Sequence, residues 1–207
     1  MSQPDIKLYE LAPTRSARCR WILLEAGLEY ESVGNSVDIL FSDELKALHP
    51  LAKLPVAIIN GRPLFESSAI ATAIADLVPE KNLVAKPGTW ARTLHDQWVS
   101  FLLTEMEAHV QSTEMNTIEF VLKKHEHVPA IIEQNNRFYK KGASALEAHL
   151  ADHDYLVEDR FTVTDIIAAY TLHFGEEQDL LGDLPNCCAY LERLKAREHC
   201  TLVPIEA

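Results

Sequence analysis

The stretch that runs from Lys53 to Ile70, KLPVAIINGRPLFESSAI, constrains the fold of this chain more than any other. Its Leu54–Pro55 step is followed by four apolar residues, an Asn-Gly pair and the short run RPLF. Proline cannot donate a ladder hydrogen bond and therefore fits the first residue of a strand, while Asn-Gly is a typical two-residue hairpin turn. The stretch predicts a buried strand over PVAII, a returning strand over RPLF, and a serine-capped helix over SSAIATAIADLV.

Short strands and helices alternate along the chain as far as residue 77, whereas only helical patterns follow residue 88. Upstream of the hairpin, IKLYE and LEYESVG have the pattern of strands, and SARCRWILLEAG and DELKAL have helical periodicity. The predicted order is βαβ, a helix, and then ββα. The segment VPEKNLVAKPG, with two prolines and a glycine, separates the two parts. We predict an α/β domain over residues 1–79, a linker over 80–87 and an all-α domain over 88–207.

Composition and charge narrow the classes of function. The formal net charge of -12 argues against an electrostatic grip on nucleic acid or on an anionic membrane surface. No apolar run is long enough to span a bilayer, the first residues lack the apolar region of a signal peptide, and the four cysteines show no zinc-type spacing. We expect a cytoplasmic protein that uses no metal and binds neither nucleic acid nor membranes.

The run FESSAI at the end of the hairpin combines two kinds of receptor. Ser67 or Ser68 can cap the following helix, whose free N–H groups and partial positive charge favour a carboxylate. Glu66, directly before it, is suited to hold an amine. The pair matches an amino-acid head group, and the alternative is an ordinary helix cap beside an exposed glutamate.

A second local signal lies far downstream, in the run RFTVTDIIAAYTL. Thr162 and Asp165 have the spacing of a capping box, in which Thr162 caps the helix and Asp165 bonds back to the Thr162 N–H. The following residues are apolar nearly all round, which predicts a helix at the centre of the second domain. This motif is therefore predicted to stabilise the fold and not to belong to the active site.

Taken together and in this order, KLPVAII, NGRPLFESSAI and RFTVTDIIAAYTL resemble the cytosolic glutathione transferases over nearly the whole chain. The resemblance implies a thioredoxin-like α/β N-terminal domain followed by an all-α helical-bundle C-terminal domain. It also implies a cis bond at Pro55, pairing of Leu54 with the cysteinyl backbone of glutathione, and capture of the γ-glutamyl end by Glu66 and Ser67. The downstream motif resembles the folding box of that family.

Members of that family activate the thiol of glutathione with a tyrosine, serine or cysteine near the end of the first strand. The matching segment here, YELAPTRSARCRW, departs from a clean pattern and places Thr14 at the hydroxyl position. Ser16 is the competing candidate, and Tyr9, a few residues too early for the tyrosine of that family, ranks third. Either Thr14 or Ser16 is alternatively a helix cap. A donated hydrogen bond and the N–H groups at the start of the first helix would both stabilise a thiolate. Cys19 lies at a helical position that predicts packing rather than reaction.

Further site residues follow from the same resemblance. Lys53 is a candidate partner for the glycyl carboxylate of glutathione, although a solvated lysine is the alternative. The pocket for a second, hydrophobic substrate is expected between the domains, with Tyr9, Trp98 and Leu102 as its candidates. Tyr9 lies on a strand whose alternation places it either at the cleft or in the core.

The resemblance implies a glutathione transferase in which the thiolate attacks a small hydrophobic electrophile, with glutathione as substrate and no metal. Two alternatives stay open: a glutathione-dependent reductase of disulfides or peroxides, and a non-catalytic relative that serves protein contacts. A homodimer is expected, and Arg92, Glu105 and Glu107 lie on long helices that are candidates to face a partner.

Overall fold

The computed structural model describes residues 3–12 and 14–202, and these divide into two compact units. The first unit comprises the described residues up to Thr89 together with those from Arg197 onward, and the second unit is Trp90–Ala196. The domain boundaries predicted from the sequence, at residues 79 and 88, stay a prediction. The chain thus has an N-terminal α/β unit, which its last described residues rejoin, and a helical unit.

The first unit has the predicted order of elements. Its four strands and three α-helices are β1 (Ile6–Glu10), α1 (Ser16–Ala26), β2 (Glu31–Gly34), α2 (Asp43–Leu48), β3 (Val56–Ile59), β4 (Arg62–Phe65) and α3 (Ser67–Leu77). Short 3-10 turns at Val37–Phe41 and Pro79–Lys81 precede α2 and follow α3. The predicted α/β class is confirmed.

The four strands form one mixed sheet in the order β2-β1-β3-β4. Strand β1 runs parallel to β2 and antiparallel to β3, and β3 pairs with β4 through the predicted Asn-Gly hairpin. In this register Tyr9 lies opposite Val56, and Val56 lies opposite Phe65.

Helices pack on both faces of this sheet. Tyr9 and Val56 cluster with Leu45 of α2 and with Ile39 on one face. Side chains alternate along a strand, so the fully buried Leu8 belongs to the opposite face. Helices α1 and α3 pack against each other and contact β1 and β3, respectively. The sheet is therefore covered on both sides, as a thioredoxin-like domain requires.

The start of α3 differs from the prediction. The cap position is held by Glu66, with φ 70° and ψ 111°, and its side chain makes no capping hydrogen bond. Ser67 is the first residue of the helix rather than its cap, so the predicted serine cap is wrong. The chain leaves β4 through a left-handed residue and enters the helix at once, which leaves no extended residue for a serine to cap from.

The second unit is entirely helical in its described part. Its helices are α4 (Trp90–Phe101), a π-helical segment (Leu102–Glu107), α5 (Ala108–Met115), a 3-10 turn (Lys124–Glu126), α6 (Ala130–Leu150), α7 (Val163–Glu177) and α8 (Pro185–Lys195). Helix α7 is buried at every position from Val163 to Leu172. The prediction of a central apolar helix in an all-α domain is confirmed.

The predicted capping box is present at the start of α7. The Thr162 hydroxyl accepts from the Thr164 N–H, and Asp165 Oδ2 accepts from the Thr162 N–H at 2.7 Å. Asp165 Oδ1 accepts from the Leu156 N–H and from the Tyr190 hydroxyl, which lies 2.6 Å away. The motif therefore ties the start of α7 to the preceding loop and to α8.

Close helix packing in this unit depends on two glycines. A Cβ at Gly142 would lie 2.7 Å from the Glu105 carbonyl oxygen, and a Cβ at Gly175 would overlap the Tyr139 hydroxyl. Glu107 is buried in the same region and accepts a hydrogen bond from Thr171 at 3.0 Å. The expectation that Glu107 faces a partner subunit is wrong, because its carboxylate is buried and hydrogen-bonded within its own unit.

Candidate active site

The sheet register brings three of the predicted site segments to one edge. Because Tyr9 lies opposite Val56 and Val56 lies opposite Phe65, the next step along each strand reaches Glu10, Pro55 and Glu66. Beyond these residues the chain continues into the loop that carries Thr14, back to Leu54, and into α3. Segments that are far apart in the sequence therefore end side by side.

The Thr14 and Ser16 hydroxyls form one small hydrogen-bonded group. Their oxygens lie 2.9 Å apart, and Thr14 also donates to the Leu11 carbonyl oxygen. Ser16 Oγ accepts from the Leu11 N–H at 3.3 Å and is only 1% exposed, whereas Thr14 is partly exposed. Thr14 is therefore the more accessible of the two predicted hydroxyls, and its proton is directed to a backbone carbonyl.

Three N–H groups at the start of α1 form hydrogen bonds within the chain. The cap position belongs to Arg15, which makes no side-chain capping bond. The Ser16 and Ala17 N–H groups donate to Thr14, and the Arg18 N–H donates to the Arg15 carbonyl oxygen. These three donors are engaged in the turn, and the expectation that the start of α1 helps to stabilise a thiolate stays a prediction.

The loop that carries Thr14 is held from β2. The Asn35 N–H donates to the Glu10 carbonyl oxygen at 2.9 Å, and Asn35 Oδ1 accepts from the Ala12 N–H at 3.4 Å. Asn35 has a φ of 56°, a left-handed conformation that asparagine tolerates better than most residues. These contacts tie the loop to the sheet on both sides of Leu11.

The Leu54–Pro55 peptide bond is cis, as the resemblance implies. Pro55 is buried, Leu54 is partly exposed, and strand β3 begins only at Val56. Lys53 is exposed next to them. The backbone of Leu54 therefore lies just outside the strand ladder, beside the ends of β1 and β4.

Glu66 and Ser67 occupy adjacent positions with opposite accessibility. Glu66 is exposed, whereas Ser67 is 6% exposed. The first intrahelical bond of α3 runs from the Ile70 N–H to the Glu66 carbonyl oxygen. The N–H groups of Ser67, Ser68 and Ala69 precede it and have no carbonyl one turn earlier in the helix. The start of α3 therefore places the backbone donors of its first turn beside a carboxylate.

Arg18 is a site residue that the sequence analysis missed. Its side chain is 1% exposed, and Nη1 donates to Ser67 Oγ at 3.2 Å. A signal was present in the sequence, because Arg18 has helical spacing with Trp21 and Ile22, which are both buried. A cationic residue on the apolar stripe of a helix indicates a specific buried partner.

Cys19 lies beside Arg18 and also reaches Ser67. Its thiol is fully buried and donates to the Ser67 carbonyl oxygen at 3.7 Å. Burial raises the pKa of the Cys19 thiol, with a smaller opposing effect from Arg18. A neutral thiol is a poor nucleophile, so this cysteine packs.

The residues predicted for a second-substrate pocket lie in both units. Tyr9 is 2% exposed and donates to Glu44, and burial together with this contact raises the pKa of Tyr9 to about 12. In the helical unit, Trp98 packs against Phe101 and His149, and Leu102 is fully buried. Tyr9 and Leu102 thus offer little surface to a ligand, and their assignment stays a prediction.

Metal sites and membrane spans are two further features that the described part of the chain would show. Within residues 3–12 and 14–202, no group of three or more His, Cys, Asp or Glu side chains is arranged to hold a metal ion. Over the same residues, no helix is both long enough and apolar enough to cross a membrane.

Two domain families match the sequence. Residues 4–76 match the glutathione S-transferase N-terminal domain, and residues 110–198 match the glutathione S-transferase C-terminal domain. This chain belongs to the glutathione S-transferase family. The two matches cover the sheet with its site edge and most of the helical unit.

The relatives of this chain include a glutathione S-transferase and an elongation factor. Glutathione S-transferase 3 of Zea mays is 26% identical over 206 residues, covering 93% of this chain and 90% of that protein. Elongation factor 1-gamma 3 of Oryza sativa subsp. japonica is 28% identical over 150 residues, covering 72% of this chain. The aligned region is 35% of that elongation factor, so this chain matches about a third of its length.

Solved structures agree on the fold. The glutathione transferase of Methylococcus capsulatus strain Bath superposes with a TM-score of 0.83 at 25% sequence identity. The superposition covers 94% of this chain and 95% of that one. A mixed four-stranded sheet followed by a helical unit is thus the architecture of this family.

Proposed function

We propose that this member of the glutathione S-transferase family binds glutathione at the sheet edge formed by Leu54, Glu66 and Ser67, and activates its thiol. The observation that carries the proposal is the register, in which Tyr9, Val56 and Phe65 align and the segments beyond them meet. Membership of the family and the similarity to a named glutathione S-transferase over 93% of the chain support it.

The γ-glutamyl end of glutathione is an amino-acid head group, and the start of α3 offers a receptor for each of its charges. The exposed Glu66 carboxylate would pair with the amine. The Ser67 hydroxyl and the free N–H groups of the first turn would donate to the carboxylate. The partial positive charge of the helix start adds to the same preference.

The rest of the tripeptide would lie along Leu54 and Lys53. The Leu54 backbone precedes the β3 ladder, and its N–H and C=O would pair with the cysteinyl residue as a short added strand. The Lys53 ammonium would meet the glycyl carboxylate. In this pose the cysteinyl sulfur points towards the loop that holds Thr14.

Thiol activation would then depend on a hydroxyl. A free thiol has a pKa near 8.5, so a decrease of about two units makes most of it thiolate at neutral pH, at about 2.7 kcal/mol. The Thr14 proton would turn from the Leu11 carbonyl oxygen to the sulfur. A hydrogen bond to a charged acceptor is worth about 1.5–3 kcal/mol, which matches the requirement. The thiolate would attack a small hydrophobic electrophile.

Two measurements on the wild-type protein test this proposal. Calorimetry is expected to show glutathione binding at or below millimolar ligand, and 1-chloro-2,4-dinitrobenzene is expected to be conjugated faster than in buffer. A chain that does not bind glutathione at millimolar concentration would sink the proposal. Binding with turnover of a disulfide or peroxide, but not of the electrophile, would favour the reductase alternative.

A second candidate is a non-catalytic role in protein contacts. The similarity to elongation factor 1-gamma 3 over 72% of the chain favours it. The two roles separate experimentally, because the non-catalytic role requires no thiolate at neutral pH and no turnover. Tight glutathione binding with an unshifted thiol pKa would support this second candidate.

We also propose that the protein is a cytoplasmic homodimer. Two-fold dimers are the commonest soluble oligomers, and Arg92 and Glu105 remain the charged candidates for the contact. Sedimentation equilibrium at micromolar concentration is expected to give twice the chain mass of 23.3 kDa. A single species at the chain mass would rule out the dimer, and the proposed glutathione binding would be unaffected.

A further inference from the structure

The Arg18 guanidinium limits what the Ser67 hydroxyl can do. Arg18 is 1% exposed, and its Nη1 lies 3.2 Å from Ser67 Oγ. A guanidinium only donates and stays charged at every ordinary pH, so Ser67 Oγ must be the acceptor in this contact. The Ser67 proton is consequently turned away from Arg18. A ligand that approaches Ser67 from the other side meets a hydroxyl that can donate.

We propose that Arg18 is a positioning residue that orients the Ser67 hydroxyl as a hydrogen-bond donor and thereby makes the site favour a carboxylate over a neutral group. The inference rests on the proposed glutathione function and deepens it. A hydroxyl is normally ambivalent, since it rotates to serve either an acceptor or a donor. With Arg18 on one of its lone pairs, the Ser67 hydroxyl is oriented to donate, and this donation is stronger to an anionic carboxylate than to the neutral oxygen of a carboxamide.

Two further contacts keep this geometry fixed. The Cys19 thiol donates to the Ser67 carbonyl oxygen at 3.7 Å, so neighbouring residues of α1 bind both polar ends of Ser67. Helices α1 and α3 pack against each other along this contact. Ser67 is 6% exposed, which leaves little room for water to replace the arginine. The hydroxyl is thus oriented before any ligand arrives, and this avoids an ordering cost on binding.

The experiment compares two ligands by calorimetry: glutathione, and its analogue in which the γ-glutamyl α-carboxylate is a carboxamide. The wild type is expected to prefer glutathione by about tenfold to hundredfold, the range for one hydrogen bond to a charged group. Ser67→Ala and Arg18→Met are each expected to reduce this preference to a few-fold. The double variant is expected to reduce it no further, because both changes remove the same oriented donor.

Two variants control for charge and folding. Arg18→Lys retains a cationic donor and is expected to keep most of the preference. Arg62→Met removes an exposed arginine at the far end of β4 and is expected to change neither ligand's affinity. Thermal unfolding monitors each variant. Should no Arg18 variant fold, the decision falls to Ser67→Ala, and a retained carboxylate preference in that variant overturns the inference.

The outcomes distinguish a failure of the proposed Arg18 role from a failure of the proposed glutathione binding. A wild type that binds neither ligand refutes both. A wild type that binds glutathione with the expected preference, together with an Arg18→Met variant that keeps this preference, overturns only the role of Arg18. Additive effects of Arg18→Met and Ser67→Ala in the double variant would also overturn the role of Arg18. They would mean that Arg18 acts independently of Ser67.

Discussion

The Thr14 and Ser16 hydroxyl oxygens lie 2.9 Å apart and share the backbone of Leu11. A change in either residue therefore alters the hydrogen bonding of the other. Ser16 holds the loop by accepting the Leu11 N–H, while Thr14 is partly exposed and donates to the Leu11 carbonyl oxygen. Because the two hydroxyls have different hydrogen-bond partners, substitutions of Thr14 and of Ser16 are expected to have different effects.

Thr14→Val keeps the shape of the side chain and deletes the proton donor. We expect it to raise the pKa of the bound glutathione thiol by about one unit, because one charge-assisted hydrogen bond is lost, worth about 1.4 kcal/mol. Thiolate absorbance against pH, recorded with saturating glutathione, measures the shift.

Ser16→Ala is the matched control for that measurement. It leaves the Leu11 N–H without its acceptor, so it is expected to lower stability by about 1–2 kcal/mol and to shift the thiol pKa less than Thr14→Val does. A reversed order of the two pKa shifts would move the assignment to Ser16. If neither substitution shifts the pKa, hydroxyl activation is wrong.

Glu66→Ala removes the proposed partner of the glutathione amine. The expected loss is about 1–3 kcal/mol of binding free energy, since the amine then enters the site without its counter-charge. Calorimetry with glutathione measures it, and Glu80→Ala, at an exposed glutamate in the 3-10 turn after α3, should leave the affinity unchanged. Equal affinities for the Glu66 variant and wild type would remove Glu66 from the site.

Asp165→Asn tests the folding box. Asp165 is fully buried and accepts four hydrogen bonds, from Leu156, Tyr190 and twice from Thr162. The asparagine side chain has one oxygen that can accept. Its NH2 group would face groups that are themselves donors, so hydrogen bonds on that side are lost. We expect a loss of about 2–4 kcal/mol in the free energy of unfolding, measured in urea.

Two variants calibrate this loss. Tyr190→Phe removes a single donor and should cost about 1–2 kcal/mol. Asp183→Asn makes the same chemical change at an exposed position and should be close to neutral. The assignment of Asp165 to stability fails if its variant unfolds at the same urea concentration as the Asp183 variant.

Arg197→Met tests how the last described segment is attached to the first unit. Arg197 donates two hydrogen bonds of 2.9 Å to Glu25, and Trp21 donates a third of 3.1 Å. Burial by itself raises the pKa of Glu25, but these hydrogen bonds outweigh it and the net pKa lies below the usual 4.5. We expect the substitution to cost about 1–2 kcal/mol at neutral pH.

The pH dependence of that cost has a definite sign. A carboxyl whose pKa is lowered by folding contributes stability above its unfolded-state pKa and loses that contribution as the pH falls through the folded value. The difference between wild type and Arg197→Met should therefore shrink below pH 4.5. Urea unfolding across this range measures it, with Arg193→Met, which breaks an ion pair with the exposed Asp154, as the comparison. A difference that is constant with pH would contradict the Glu25 linkage.

Much of the fold could be predicted because its signals are local. DELKAL and RPLF are the residues of α2 and β4, since each segment is bounded by its own cap or turn chemistry. The capping box at Thr162 needs only a partner three residues away. The serine cap on α3 failed for the opposite reason: the left-handed turn at Glu66 is imposed by how β4 meets the helix, and no residue type nearby indicates it.

The sequence by itself determined the elements, the hairpin, the folding box and the identity of the polar residues available for a glutathione site. Only the tertiary structure decided which of these residues meet. Arg18 and Ser67 are 49 positions apart, and they touch because α1 and α3 pack together on the sheet. Helical spacing and turn chemistry act within a few residues of the chain, whereas burial and sheet register depend on the packing of distant segments. That difference in range explains why Thr14 and Glu66 could be proposed as site residues from the sequence, while the contact of Arg18 with Ser67 could not be predicted.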